Sequence, residues 1–177
     1  MAREISAGGV VVRQTSGVWH VALIEPRKDT GEDEKTELKK DETEDATALH
    51  ARIKRKRTAV LALPKGLVDA GEKPQVAAVR EVLEETGVVA EPITKLADNK
   101  YVYVRSWGDG ERVFKIVSFY LMRYVSGEID NLESDMRIEV KRASWVPLAD
   151  AASKLSYSNE RKVLRQAQEY LDANGLI

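Results

Sequence analysis

Glu81, Glu84 and Glu85 stand at i, i+3 and i+4 in a stretch that favours helix. On a helix this spacing puts three carboxylates on one face. The stretch carries its own boundary signals. Pro74 suits a first helical position, where its missing N–H is no loss. Gly87 suits the left-handed residue that ends a helix. The predicted helix therefore crowds three negative charges into its last turns, where the macrodipole disfavours them. A solvated acidic face is the plain alternative for any such triplet. A hard divalent cation such as Mg²⁺, which takes oxygen ligands, would turn the repulsion into binding. Arg80 lies four residues before Glu84, within reach of an ion pair.

The wider spacing is more specific than the triplet. Gly66 is followed after five residues by Glu72, and after seven more by Arg80, Glu81 and Val82. Glu84, Glu85, Gly87 and Val88 complete the pattern. In this stretch the chain resembles the Nudix hydrolases, whose box reads Gly-x5-Glu-x7-Arg-Glu-U-x-Glu-Glu-x-Gly-U with U aliphatic. Every specified position matches. The resemblance implies an α/β fold, the Nudix-type α/β/α sandwich, with a mixed β-sheet and the box as a loop–helix–loop beside it. It implies metal-dependent hydrolysis of a nucleoside diphosphate linked to another moiety, with Mg²⁺ or Mn²⁺ as cofactor. Carried over residue by residue, it implies Glu81, Glu84 and Glu85 as metal ligands and catalytic carboxylates, and the Gly66 carbonyl as a further ligand. Glu72 and Arg80 then hold the loop and orient the carboxylates, and Arg80 counts with the catalytic set.

Many members add a carboxylate from outside the box, shortly before a Trp-containing strand. Glu139, six residues before Trp145, is the catalytic and metal-binding candidate, with Glu128 and Glu133 as rivals. A solvent-facing loop acid is the alternative. Leu63-Pro64-Lys65-Gly66, Trp145-Val146-Pro147 and Leu155-Ser156-Tyr157 look like diadenosine polyphosphate hydrolases and their MutT-like relatives. The leading expectation is thus a dinucleoside polyphosphate substrate, with diadenosine tetraphosphate cut to ATP and AMP. Lys65 and Arg105 are the candidate phosphate-binding residues, and Tyr103 and Tyr157 the candidates for stacking on a base. A solvated lysine and a packing tyrosine are the ordinary alternatives. Three other readings stand beside this one: sanitising hydrolysis of oxidised nucleoside triphosphates, hydrolysis of diphosphoinositol polyphosphates, and a non-catalytic Nudix-fold ligand-binding module. The intact box speaks against the last.

Composition narrows the setting. A chain of 177 residues predicts one domain over 1–177, with enough chain for a real core. The net charge of −1 gives no global pull toward nucleic acid or an anionic membrane, so the expected partner is a nucleotide or polyphosphate small molecule. The absence of cysteine excludes disulfides, thiolate metal sites and cysteine nucleophiles, and fits a cytoplasmic location. Residues 1–14 have no long apolar core, so no signal peptide is expected, and no apolar run would span a bilayer.

The elements that must position the glutamates follow in order. Residues 5–13 and 18–25 read as strands joined by a turn, the first containing Gly8-Gly9, which reads as a bulge. His20 on the second strand is given no role. Residues 28–57 read as a charged insertion. Between Lys28 and Asp45 nine acidic residues meet four basic ones, and a basic cluster ends in Arg55, Lys56 and Arg57. Residues 58–63 read as a short buried strand leading into the box. Residues 100–107 and 112–124 read as strands around a turn at Gly108-Asp109-Gly110, and 141–146 as a further strand. Residues 148–154 read as a short helix. Val163, Leu164, Ala167, Tyr170 and Leu171 form the stripe of a helix over 159–173, docked on a sheet.

Overall fold

The computed structural model describes residues 1–27, 59–105 and 108–175. The proposed insertion at 28–57, with its basic cluster, lies outside the described residues, as do Ser106 and Trp107.

Among the described residues, six strands form one mixed sheet: β1 (Ala2–Thr15), β2 (Val18–Pro26), β3 (Lys65–Leu67), β4 (Val88–Val104), β5 (Arg112–Gly127) and β6 (Val140–Pro147). The order is β4-β5-β1-β2-β6, with β3 paired to β1. β1 runs parallel to β5 along one edge. Its other edge is shared: Val12–Thr15 pair with β2, and Ser6–Gly8 pair with β3. β1 and β2 therefore part company beyond Val12 and Val21, and the segment entering the box fills the split. Ala62 bridges Ile24 on the β2 side, with both backbone hydrogen bonds at 2.9 Å. On the β1 side, the Gly9 N–H donates to the Pro64 carbonyl at 3.1 Å.

This split corrects two readings of the sequence. Gly8 is a point of close approach: a Cβ there would lie 2.3 Å from the Pro64 carbonyl oxygen. Residues 58–63 do not form a strand among the described residues; the pairing there is the single bridge at Ala62. Side chains take the N–H groups that a ladder would have used. The Leu61 N–H donates to Ser156 Oγ at 3.0 Å, and the Leu63 N–H to Glu160 Oε2 at 2.9 Å. The strand forms three residues further on, where the chain reaches β1.

The pleat sends alternate residues into two cores. Val10, Val12, Val21 and Leu23 face one way, against the helices α2 (Leu148–Lys154) and α3 (Ser158–Ala173). Ala7, Val11 and Ala22 face the other, against Ala77, Ala78 and Val82 of α1 (Pro74–Thr86). The layers are thus helix, sheet, helix, as the box implied. The small residues on the α1 side let that helix lie close to the sheet. β4 begins directly after Gly87, well before the strand expected from residue 100.

Candidate active site

α1 ends as its sequence predicts. Pro74 opens it, and Gly87 closes it in the left-handed conformation (φ 79°), its N–H donating to the Leu83 carbonyl at 2.9 Å. Glu81 and Glu85 lie on the buried side of the helix beside Ala77, Ala78 and Val82, whereas Glu84 is half-exposed. All three line one cavity of about 410 Å³ at the split between β1 and β2. Lys65 and Gly66 of β3, Ser6 of β1, Lys115 of β5, Tyr157 before α3, and Met136 and Glu139 before β6 also line it.

Arg80 organises the acidic side. Its Nε and Nη2 bind the two oxygens of Glu72 at 2.9 and 3.0 Å, and Nη2 also donates to the Leu67 carbonyl at 2.9 Å. Its Nη1 reaches Glu81 Oε1 at 2.8 Å and Glu84 Oε2 at 3.1 Å. One planar guanidinium thus ties the loop before the helix to two of the box glutamates, a geometry that the fork of arginine permits and lysine does not. Hydrogen bonding to Arg80 holds the Glu72 carboxyl below its usual range.

The buried glutamates shift the other way. Burial pushes Glu85 up to about 8, against the pull of the Lys65 charge and of the Lys65 N–H, which donates to Glu85 Oε2 at 2.9 Å. Burial likewise raises Glu81, and Arg80 pulls it back. Glu139 and the neighbouring box carboxylates push both further up, so Glu139 is electrostatically part of the same group.

Lys65, Tyr157 and Glu139 are thus brought to the cavity with the box glutamates. Of the rivals, Glu128 and Glu133 do not line it. Arg105 and Tyr103 do not line it either. The Arg105 guanidinium binds Glu4 and Glu111, each at 3.1 Å, near the β4–β5 turn. Tyr103 is buried in the sheet, with the Lys115 ammonium 5.8 Å from its ring centre. Tyr103 pairs with Val113, two residues nearer the β4–β5 turn than Lys115, and Tyr101 packs against the core beneath α2 and α3.

Two charged residues at this end of the sheet escaped the sequence reading. Lys115 is only 4 % exposed and alternates with buried Val113 and Val117, so a lysine on an inward phase of β5 was the available signal. Glu160 extends the apolar stripe of α3 one step toward its N-terminus and is 3 % exposed, and an acid on that stripe was its signal.

Residues 38–167 match the NUDIX domain. The chain belongs to the Nudix family. This Nudix chain is 38 % identical over 125 residues to a provisionally named mutator protein, MutT4, of Mycobacterium tuberculosis, covering 71 % of the chain and 48 % of that protein. It is 33 % identical over 121 residues to an 8-oxo-(d)GTP phosphatase of Mycolicibacterium smegmatis, covering 68 % and 34 %. The chain therefore spans about half the length, or less, of these curated relatives. Among solved structures, a binary complex of the C. elegans Ap4A hydrolase is similar with a TM-score of 0.61 at 21 % identity, covering 96 % of this chain and 98 % of that one. At that identity the likeness is one of fold.

The donor chemistry of the cavity fits a divalent cation. Four carboxylates and the Gly66 backbone line one cavity, and hard oxygen donors are what Mg²⁺ and Mn²⁺ take. Among the described residues, no three acidic or histidine side chains already stand where they could share one ion. Arg80 occupies one oxygen each of Glu81 and Glu84, and the Lys65 N–H one oxygen of Glu85. Each carboxylate keeps a second oxygen that these contacts do not use. Holding an ion thus calls for these side chains to rotate within the cavity.

Proposed function

We propose that this Nudix chain hydrolyses a phosphoanhydride bond of a nucleoside polyphosphate in the presence of Mg²⁺ or Mn²⁺. The observation that carries this reading is the shared cavity. Glu81, Glu84, Glu85 and Glu139 form a wall of carboxyl groups, and Lys65 and Lys115 stand around the same space. A polyphosphate needs both: cations for its oxygens, and carboxylates to hold a metal and accept a proton. Bound there, a divalent cation supplies charge neutralisation at the phosphate oxygens and Lewis acidity toward water. Glu81, Glu84, Glu85, Glu139 and the Gly66 carbonyl would hold it. Arg80 keeps Glu81 and Glu84 turned toward the cavity, and one carboxylate of the set takes the proton of the attacking water. Lys65 and Lys115 hold phosphate oxygens, and Tyr157 offers its ring to a base.

On substrate, the oxidised purine nucleoside triphosphate leads. The relative at 33 % identity is an 8-oxo-(d)GTP phosphatase, and two of the four residues enlisted for a dinucleotide, Tyr103 and Arg105, stand away from the cavity. Dinucleoside polyphosphate hydrolysis remains the second reading, supported by Lys65 and Tyr157 at the cavity and by the Ap4A hydrolase fold. A product chromatogram over 8-oxo-dGTP, dGTP and diadenosine tetraphosphate, each with Mg²⁺ and with excess EDTA, tests both. The expected result is a higher kcat/KM for 8-oxo-dGTP than for dGTP, abolished by EDTA. Faster conversion of the tetraphosphate to ATP and AMP would select the second reading, and turnover of none of them would remove both.

A further inference from the structure

Glu139 presents a physical problem. It is exposed and follows a single turn of 3-10 helix (Met136–Ile138) in the connection between β5 and β6, yet its carboxylate shares a cavity with the glutamates of α1. An exposed acid in a connection of this kind ordinarily samples many directions. Three sets of contacts restrain this one.

The connection is first rooted on the end of α1. The Asp130 N–H donates to the Thr86 carbonyl at 2.8 Å, and a Cβ on Gly87 would lie 2.5 Å from the Glu128 carbonyl oxygen and 2.8 Å from that of Asn131. The connection is then closed on itself. Arg137, two residues before Glu139, donates through Nη1 to Asp130 Oδ1 at 2.9 Å and to the Lys141 carbonyl at 3.2 Å, and through Nη2 to the Asp130 carbonyl. Asp130 Oδ1 also accepts the Ala143 N–H of β6 at 2.8 Å. Finally, the backbone of Glu139 itself is held: its N–H donates to Met136 at 3.0 Å, and its carbonyl accepts the Arg27 N–H at 2.8 Å. Asp130 adopts a positive φ of 70°, a left-handed conformation that Asp tolerates better than most residues with a side chain.

We propose that Asp130 and Arg137 are positioning residues that hold Glu139 toward Glu81 and Glu85. Asp130 joins α1, β6 and Arg137 at one point, and Arg137 carries that fixed point to within two residues of Glu139. This rests on the reading of Glu139 as a working carboxylate of the site.

The test is a double-mutant cycle in the full chain, with kcat and KM measured on 8-oxo-dGTP or, if that is not turned over, diadenosine tetraphosphate. Amide hydrogen exchange over 131–139 is followed in parallel. Glu139→Gln sets the scale. Arg137→Met is expected to lower kcat by about ten- to a hundredfold, the scale of a misplaced group, with KM within about threefold. Exchange should accelerate in 131–139 and stay unchanged in α1. Combined with Glu139→Gln, Arg137→Met should lower kcat no further, because the group it positions is already disabled. Arg137→Lys, which keeps the charge but loses the fork, should fall between wild type and Arg137→Met, and it carries the test if the methionine variant does not fold. Multiplicative losses in the double variant, or wild-type kcat in Arg137→Met where Glu139→Gln is impaired, would overturn the positioning role alone. Wild-type kcat in Glu139→Gln would overturn the reading of Glu139 and the proposal with it, while leaving the box glutamates untouched.

Discussion

Gly66 and the carboxylate of Glu81 are packed so closely that a Cβ on Gly66 would lie 2.1 Å from the Glu81 carboxyl carbon. The obstacle is the far end of a flexible side chain, so the fold can accommodate a methyl group there by moving that carboxylate. Gly66→Ala is therefore expected to melt within a few degrees of wild type but to lose at least about tenfold in kcat, since a displaced catalytic group is sharply penalised. Thermal melting and steady-state kinetics on one preparation check both halves; a large loss of melting temperature would mean that Gly66 serves the fold instead.

Gly87 is expected to behave in the opposite way. Its φ of 79° is strained for any residue with a side chain, and the neighbours of an added Cβ are the backbone atoms of Glu128 and Asn131. Gly87→Ala should destabilise by at least about 1–2 kcal/mol from the left-handed backbone alone, measured by denaturant unfolding. The clash adds to that figure.

The box carboxylates should govern turnover. Glu84→Gln and Glu85→Gln are each expected to lower kcat by at least about a hundredfold, the scale of a lost proton acceptor or charge-stabilising group. Neither should unfold the chain, because burial and the neighbouring carboxylates oppose ionisation of Glu81 and Glu85, and Glu84 is half-exposed. Circular dichroism and a product assay check this, and excess EDTA should reproduce the loss in wild type.

The lysines and arginines separate by position. Lys115→Met keeps length and burial while removing the cation from the cavity, so KM for a nucleoside polyphosphate should rise several-fold, on the order of one lost charge-assisted contact. Arg105→Met should leave KM within about twofold, because its guanidinium is engaged by Glu4 and Glu111. A larger rise for Arg105 than for Lys115 would reverse the assignment.

Asp130 gives a signed pH prediction. Hydrogen bonding to Arg137 and the Ala143 N–H holds its carboxyl below the usual range. A depressed carboxylate contributes stability that is fully present above its unfolded value of about 3.9 and is lost as pH falls through the lower folded value. Asn fits the same left-handed backbone. Wild type should therefore melt above Asp130→Asn at pH 6, and the gap should narrow from about pH 4 downward; a gap independent of pH would show that the charge is not what matters.

How much of this was legible beforehand follows from the range of the interactions involved. The span of α1, its proline start, its glycine end and the Arg80–Glu84 ion pair are set by residues within a turn or two of one another, and the sequence determined all of them. The docked stripe of α3 and the strand at 18–26 were legible for the same reason, as hydrophobic periodicity records a local geometry. The strand expected at 58–63 was not, because Ser156 and Glu160, about a hundred residues away, take the N–H groups on which its ladder depends. Tyr103 and Arg105 were sound candidates by distance along the chain, but at the β4–β5 turn Tyr103 is buried and Arg105 pairs with Glu4 and Glu111. Lys115 reaches the cavity because β5 lies parallel to β1, and Glu139 because Asp130 and Arg137 fold its connection back onto α1. The sequence by itself determined which carboxylates could act together on one helix. Only the tertiary structure decided which cations and which distant acid share their cavity, because strand order, register and loop closure depend on contacts between residues far apart in the chain.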